Sequence, residues 1–240
     1  MLIVAEHYAG SDTGRQRRAN EDSLLSRSPL FVVADGMGGA QAGEVASRIA
    51  VEAFQGGLPV GAEPELELAD LAQQANARIH ELSHSNSEQA GMGTTLTAVY
   101  VGELDIAIAH VGDSRAYLID SGQCRQITID HSYINELISN GMLTEDTARF
   151  ADLEAMQSII TRAVGIASEV EPDIFTVDLH PGAAVLLTTD GLTRHVEDQE
   201  IAAVFAATEP ALVCAQLIEL ANDRGGHDNI TCLLLVCVPN

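Results

Sequence analysis

The chain has 240 residues, of which 46% are hydrophobic, so we expect a globular protein of one large domain or two small ones, not a disordered chain. The formal net charge is −23 at pH 7, and the twelve basic residues are all arginines against 35 acidic ones. This balance excludes a cationic face for nucleic acid, disfavours anionic membranes and, because lysine is absent, excludes a P-loop, a Schiff-base lysine and a Ser-Lys dyad.

Hydrophobic periodicity and turn residues predict a regular order of elements. The order begins with a strand (30–34), two helices (41–54 and 64–83) and two hairpins (94–111 and 115–129). It continues with a helical insertion (132–148), two strands (174–179 and 184–189), two helices (197–207 and 211–224) and a closing strand (230–238). Hairpin connections dominate, so the sheets should be antiparallel and the fold class α+β. The chain has no internal repeat and no convincing linker, and we expect a single domain over residues 1–240.

The four cysteines form no C-x-x-C pair. Cys232 and Cys237 lie five residues apart in a predicted strand, so their side chains should point to opposite faces of the sheet. We therefore expect reduced thiols and a cytoplasmic location. Residues 1–7 have no basic stretch, which argues against a signal peptide, and the longest apolar run, 232–238, is too short to span a bilayer.

Four aspartates share one kind of sequence context. Asp35, Asp190 and Asp113 each follow an apolar strand, and Asp228 directly precedes the last one. A carboxylate at the end of a buried strand is costly unless it is paired or bound to metal, and this chain has few cations. Each Asp-Gly step alone is also consistent with a simple turn. Four together favour a site for Mg²⁺ or Mn²⁺, which prefer oxygen ligands and can activate water against a phosphoryl group.

Nine short motifs then match one known family in order across nearly the whole chain. They are Asp12-x-Gly14, Arg17-x-x-Asn20-Glu21-Asp22, Val32-Val33-Ala34-Asp35-Gly36-Met37-Gly38-Gly39, Gly91-Met92-Gly93-Thr94-Thr95, His110-Val111-Gly112-Asp113-Ser114-Arg115, Asp130-His131-Ser132, Thr161-Arg162-Ala163-Val164-Gly165, Thr189-Asp190-Gly191-Leu192 and Gly225-Gly226-x-Asp228-Asn229-Ile230-Thr231. On these residues the chain resembles the PPM-type, or 2C-class, metal-dependent Ser/Thr protein phosphatases in their compact bacterial form.

The resemblance implies a four-layer α-β-β-α sandwich, with two packed antiparallel sheets, a helical layer on each outer face and a flap at residues 132–164. The implied function is hydrolysis of phosphoserine and phosphothreonine in proteins by a water that bridges the metals, with no phosphoenzyme. The implied partner is a phosphorylated protein, and the enzyme would be a cytoplasmic monomer that opposes a Ser/Thr kinase.

The resemblance also implies a ligand set for two core ions, Mn²⁺ or Mg²⁺. Asp35 would bridge the two ions, and the carbonyl of Gly36 would bind one of them. Asp190 and Asp228 would hold the other ion. Asp113 matches a ligand of a third, weaker metal site in bacterial relatives.

Three further residues receive roles from the same motifs. Asp22 would act mainly through metal-bound water, with Glu21 beside it. Arg17 matches the arginine that grips the substrate phosphate, a task suited to its planar fork of donors. We assign the catalytic role to Asp22, Arg17 and Asp35.

The chain departs from the family pattern in two places. Ala40 stands where bacterial relatives often carry a histidine, and Glu154, Ala155 and Gln157 replace a His-Pro-x-Arg-like segment in the flap. These departures put the substrate contacts of the flap in doubt. They motivate an alternative function, a weakly catalytic regulatory module that binds a phosphoprotein.

Other signals compete with the aspartates. His80-Glu81-x-x-His84 matches the helical zinc-protease pattern, but a pair of surface histidines in the last turn of a helix explains it as well. His110 lies within a predicted strand and is interpreted as a structural histidine. Three arginines, Arg15, Arg18 and Arg194, could contact phosphate or peptide, although solvated surface is the favoured interpretation.

Overall fold

The computed structural model describes residues 2–39, 42–144, 159–180 and 182–239. They form two sheets in which every pair of neighbouring strands is antiparallel. The first sheet has the order β1 (Leu2–Asp12), β11 (Ile230–Pro239), β10 (Ala184–Thr188), β7 (Arg115–Asp120) and β8 (Gln123–Gln126). The second has the order β2 (Asp22–Arg27), β3 (Leu30–Met37), β5 (Leu96–Val101), β6 (Asp105–Val111) and β9 (Asp173–Asp178), with β4 (Gly93–Thr94) paired to β3.

Helices cover the outer faces of both sheets. The second sheet carries α1 (Ala42–Ala53) and α2 (Pro64–Ser85), which a short 3₁₀ helix (Ser87–Gln89) follows. The first sheet carries α4 (Asp190–Thr193), α5 (Asp198–Ala207) and α6 (Pro210–Asp223). At the start of the predicted flap lies α3 (Tyr133–Ser139), capped by the Ser132 hydroxyl. Within these described ranges, no helix combines the length and the apolar character that crossing a membrane requires.

The apolar core has three layers because successive strand residues point to opposite faces. Phe31 and Leu233 are buried between the two sheets, whereas their chain neighbours Val32 and Leu234 pack against the helices on either side. Full burial of such a side chain stabilises the fold by about 1.5–3 kcal/mol. The three apolar layers therefore lie between two sheets and two outer layers of helices, which together form the α-β-β-α sandwich that the resemblance implies.

The cysteines follow the same alternation. Cys232 lies in the layer under the helices and Cys237 in the layer between the sheets, which confirms that they point to opposite faces. All four cysteines are free thiols, and three of them are buried.

The sequence pattern misses β1 and β2. Both are edge strands, the side chains described in them are half-buried or exposed, and their apolar residues are interrupted. Glu6 and His7 of β1 are exposed, and a β-bulge between Val4 and Glu6 breaks the alternation. Neither strand therefore shows the clear period of two that identifies a buried strand.

Two other predicted elements differ in extent. The strand predicted to reach residue 129 ends at Gln126, because the hydroxyl of Thr128 accepts the Ala116 N–H where a strand carbonyl would otherwise do so. The helical insertion predicted at 132–148 lies, from residue 145 onward, outside the described residues.

Candidate metal centre

Five aspartates converge where strands of both sheets end. Asp22 and Asp35 are direct cross-strand partners in β2 and β3. Asp190 begins α4 just after β10, Asp228 precedes β11, and Asp113 lies in the turn between β6 and β7. Asp35 experiences repulsion from all four of the other carboxylates, so the topology gathers the predicted residues into one site.

Burial and mutual repulsion oppose ionisation of these carboxyl groups. Burial is the main cause that raises the pKa of Asp22 to about 7, and repulsion by Asp190 and Asp228 adds to it. Burial, followed by repulsion from Asp190, likewise raises the pKa of Asp113 to about 7. Burial, together with the neighbouring aspartates, holds the pKa of Asp35 well above its usual range. Such a cluster is costly to ionise unless cations balance it.

Three carboxylate oxygens in this cluster are suited to a cation. Oδ1 of Asp22, Asp113 and Asp190 is buried and has no hydrogen-bond partner within the described residues. Hard divalent ions bind oxygen ligands of this kind, so the donor set fits Mn²⁺ or Mg²⁺. As placed, the described residues contain no group of three or more His, Cys, Asp and Glu side chains spaced to hold one ion. Two of the carboxylates bind arginines instead.

Arg17 is the first of these arginines. Its Nη2 donates to Oδ2 of Asp228 at 2.7 Å, and its side chain is 50% exposed. Asp35 and Glu21 also attract its guanidinium. Arg17 therefore lies at the mouth of the carboxylate cluster, where a phosphate could reach it.

Asn229 holds the loop that carries Arg17. It is 3% exposed, and its Nδ2 donates to the carbonyls of Thr13 and Ala19 at 3.0 and 2.9 Å. Its Oδ1 accepts the Glu21 N–H at 2.8 Å. Asn229 belongs to a sequence motif that indicates no role for it, although a buried asparagine beside a predicted ligand aspartate is a signal for such an anchor.

Two threonine hydroxyls orient Asp22. Oγ1 of Thr189 and Oγ1 of Thr231 donate to Oδ2 of Asp22 at 2.9 and 2.7 Å. The two threonines stand on facing strand ends, where the Thr231 N–H also donates to Oγ1 of Thr189. The bonds satisfy one oxygen of Asp22 and leave Oδ1 free to face a ligand. The sequence motifs contain both threonines, yet only the fold shows that they converge.

Glycines allow the strand ends to approach one another closely. A Cβ on Gly36 would collide with the carbonyls of Gly43 and Glu21, and Gly36 N–H donates to Glu21 O at 3.2 Å. A Cβ on Gly191 would likewise collide with the carbonyl of Asn229. Backbone therefore packs against backbone around the cluster. Metal binding by the Gly36 carbonyl stays a prediction.

The competing histidines have structural partners. His84 Nδ1 bonds the His80 carbonyl at 2.8 Å on the surface of α2, and within the described residues no third ligand completes a metal site with this pair. His110 is fully buried between Thr97 Oγ1, at 3.0 Å, and the Ile129 carbonyl, at 3.1 Å. Burial lowers the pKa of His110 to about 4, so it is a neutral structural histidine, as predicted.

The arginines outside the motif roles differ in position. Arg15 and Arg18 are exposed, as expected for solvated surface. Arg194 is exposed as well, but its guanidinium also pairs with Asp190 at the edge of the cluster. The spacing of Asp190 and Arg194 places them one turn apart on α4, so their pairing could have been predicted from an i,i+4 pattern.

The two described ends of the predicted flap are anchored beside the site. Ser132 bridges to Ile160, and Val164 bridges to Thr94. Arg162 Nη1 donates to Oδ1 of Asp173 at 2.7 Å. Ala40, and the flap residues Glu154, Ala155 and Gln157, lie outside the described residues.

Comparisons with known proteins agree with this geometry. Residues 10–224 match the family described as protein phosphatase 2C. The chain is 36% identical over 237 residues to the serine/threonine phosphatase stp of Listeria monocytogenes serotype 4b, covering 94% of this chain and 93% of that protein. The crystal structure of the Mycobacterium tuberculosis serine/threonine phosphatase PstP/Ppp is 34% identical and superposes with a TM-score of 0.91, covering 100% of this chain and 99% of that one.

A further solved structure bears on the metals. The catalytic domain of the phosphatase PstP in complex with two manganese ions has a TM-score of 0.88 at 34% identity, covering 99% of this chain and 100% of that one. These similarities extend over the whole sandwich and over all the strand ends that carry the aspartates. The chain belongs to the protein phosphatase 2C family.

Proposed function

We propose that this chain is a protein serine/threonine phosphatase that needs Mn²⁺ or Mg²⁺ to hydrolyse phosphoserine and phosphothreonine. The observation that carries the proposal is the buried carboxylate cluster, with three unpartnered oxygens, beside a half-exposed arginine. A cluster of this kind binds divalent cations, and an arginine at its mouth binds phosphate.

The proposed ligands of the two core ions are Asp35, the Gly36 carbonyl, Asp190 and Asp228, and Asp113 is the ligand that a third, weaker ion would need. When bound, such ions lower the pKa of water to make it a nucleophile and neutralise charge on the phosphoryl group. The unpartnered Oδ1 atoms of Asp190 and Asp113 support this set. The number of core ions follows the similar phosphatase PstP, whose catalytic domain is in complex with two manganese ions.

Asp22 acts through water, with Glu21 beside it. The hydroxyls of Thr189 and Thr231 fix the orientation of the Asp22 carboxylate, so that Oδ1 faces into the cluster. Glu21 is held through its backbone by Asn229, and burial raises the pKa of its side chain. These contacts support a role for both acids beside the reacting water.

Arg17 binds the substrate phosphate. Its ion pair with Asp228 uses one Nη atom of an exposed side chain, so the guanidinium can turn toward an incoming phosphate at little cost. Two parallel N–H donors then bind the phosphate oxygens and hold the phosphorus near the carboxylate cluster. The expected kinetic signature of Arg17 is therefore in KM more than in kcat.

The physiological setting follows from chemistry and from the relatives. The substrate is a phosphorylated protein, and the enzyme opposes a Ser/Thr kinase. Four free thiols support a cytoplasmic location, because a reducing compartment keeps thiols from pairing. We also propose that residues 1–240 form one phosphatase domain, with the flap at 132–164, and that it acts as a monomer.

Catalysis is favoured over the weakly catalytic binding module. The relatives bear names of phosphatases, and every aspartate of the motif set is present. A binding module has no need of five clustered carboxylates, since their ionisation is costly without cations.

Phosphate release tests this proposal. The substrates are p-nitrophenyl phosphate and a phosphothreonine peptide, with chelator, Mg²⁺ or Mn²⁺ added, on wild type, Asp190→Ala and the exposed-helix control Asp70→Ala. We expect metal-restored turnover in wild type and Asp70→Ala, and its loss in Asp190→Ala. A wild-type chain that binds metal and phosphopeptide without turnover would instead identify a binding module. Full activity in Asp190→Ala would refute the metal assignment.

A further inference from the structure

Arg194 binds one oxygen of Asp190, and the other oxygen is left for the carboxylate cluster. Arg194 ends α4, one helical turn after Asp190. Its Nε donates to Oδ2 of Asp190 at 2.9 Å, and its Nη2 donates to the same oxygen. Oδ1 of Asp190 is buried and has no hydrogen-bond partner within the described residues. One oxygen thus remains for a core ion, and the other is already bound by a cation of the protein.

Asp113 faces the same pair. It is 6% exposed, and its Oδ1 also has no hydrogen-bond partner in the described part of the chain. Asp190 repels the Asp113 carboxylate, and Arg194 attracts it. Arg194 in turn interacts favourably with Asp190, Asp228 and Asp113. The guanidinium therefore supplies positive charge to the side of the cluster on which Asp113 lies.

We propose that Arg194 takes the place of a third metal ion beside Asp190 and Asp113, so that this chain binds two divalent cations and supplies the third positive charge itself. An ion shared by Asp190 and Asp113 would need Oδ2 of Asp190, because Oδ1 serves the core ions. Two N–H groups of Arg194 hold that oxygen. The inference rests on the proposed function for the identity of the core ligands.

Arginine is well suited to replace an ion here. Its guanidinium stays protonated at any physiological pH, and its fixed fork needs little ordering to bind a carboxylate. The short helix carries Arg194 at the i+4 position from Asp190, so the pairing is local. A tethered charge does not depend on the concentration of free metal. A weak third site would be filled only at high metal concentration.

Counting bound metal tests the inference. Chelator-treated full chain is titrated with Mn²⁺ by calorimetry, and bound Mn²⁺ is counted by elemental analysis, for wild type, Arg194→Ala, the double variant Arg194→Ala/Asp113→Asn and Arg48→Ala. Arg48 is the matched control, since it forms an i,i+4 ion pair with Glu44 on α1 at a more exposed position. Circular dichroism verifies the fold of each variant.

We expect two ions per chain in wild type and Arg48→Ala, three in Arg194→Ala with the added one the weakest, and two again in the double variant. Three ions in wild type, or two in folded Arg194→Ala, would overturn the inference. A third ion that persists in the double variant would also overturn it, because that ion would not use Asp113.

Two controls keep the inference independent of folding and of activity. If Arg194→Ala fails to fold, Asp113→Asn in the wild-type background decides: an unchanged count of two supports the inference, and a fall from three to two rejects it. Wild type that binds two ions but releases no phosphate would refute the phosphatase proposal while still supporting the inference about Arg194.

Discussion

At the scale of single residues, the site depends on polar side chains that orient the carboxylates. Thr231 is fully buried, and its Oγ1 donates to Asp22 while it accepts a hydrogen bond from Ser11 Oγ at 2.8 Å. Asp22 is thereby held with one oxygen satisfied and the other free. A hydrogen bond to a charged group contributes about 1.5–3 kcal/mol, so these hydroxyls matter for both stability and metal binding.

Thr231→Val tests this role with almost no change in side-chain shape. We expect the variant to unfold about 1–3 kcal/mol more easily in a denaturant titration, because Asp22 and Ser11 each lose a partner. We also expect weaker Mn²⁺ binding by calorimetry, since Asp22 is no longer held in one orientation. Thr176→Val, at an exposed position of β9, is the control and should change neither quantity. Unchanged Mn²⁺ affinity in Thr231→Val would show that Asp22 needs no support from the hydroxyl.

At the scale of elements, the sequence predicts what is buried and local better than what is half exposed or non-local. The central strands and both long helix pairs show clear periodicity, and they lie where the pattern places them. β1 and β2 are edge strands with half-covered side chains, so their signal is weak. The motif aspartates are predictable because each stands at a strand end. Their convergence with Thr189 and Thr231 depends on chain segments that the sequence alone does not bring together, whereas the i,i+4 pairing of Arg194 with Asp190 is local.

The packing of α4 against the loop before β11 gives an element-level prediction. A Cβ on Gly191 would collide with the carbonyl of Asn229. The side chain of Asn229 also anchors the loop that carries Arg17. Because the atom in collision belongs to the backbone, the clash can be relieved only if the loop before β11 moves. We expect Gly191→Ala to lower the free energy of unfolding by about 2 kcal/mol or more and to raise KM for a phosphopeptide. Gly56→Ala, where a Cβ meets nothing within 4 Å, is the control in the same unfolding and kinetic measurements. Wild-type stability and KM in Gly191→Ala would contradict the close approach of the two elements.

At the scale of the whole molecule, the dominant property is charge. The formal net charge of −23 is carried by a chain whose proposed substrate is itself anionic. Bound divalent cations and Arg17 offset this locally, but the rest of the surface repels a phosphopeptide on approach. Long-range fields of this size change association rates by roughly 10-fold to 1000-fold, and salt screens them beyond about 10 Å at 0.1 M. Charges that flank the phosphorylated residue should therefore influence selection among substrates.

The corresponding prediction compares two phosphothreonine peptides of equal length, one flanked by arginine and lysine and the other by aspartate and glutamate. We expect kcat/KM to be about tenfold higher for the basic peptide at low salt. The difference should shrink as NaCl rises toward about 1 M, where the Debye length falls to about 3 Å. A peptide with neutral flanks should lie between the two and respond least to salt. A preference that persists at high salt would instead indicate direct contacts with the flanking residues. A preference for the acidic peptide would mean that a local basic surface outweighs the net charge.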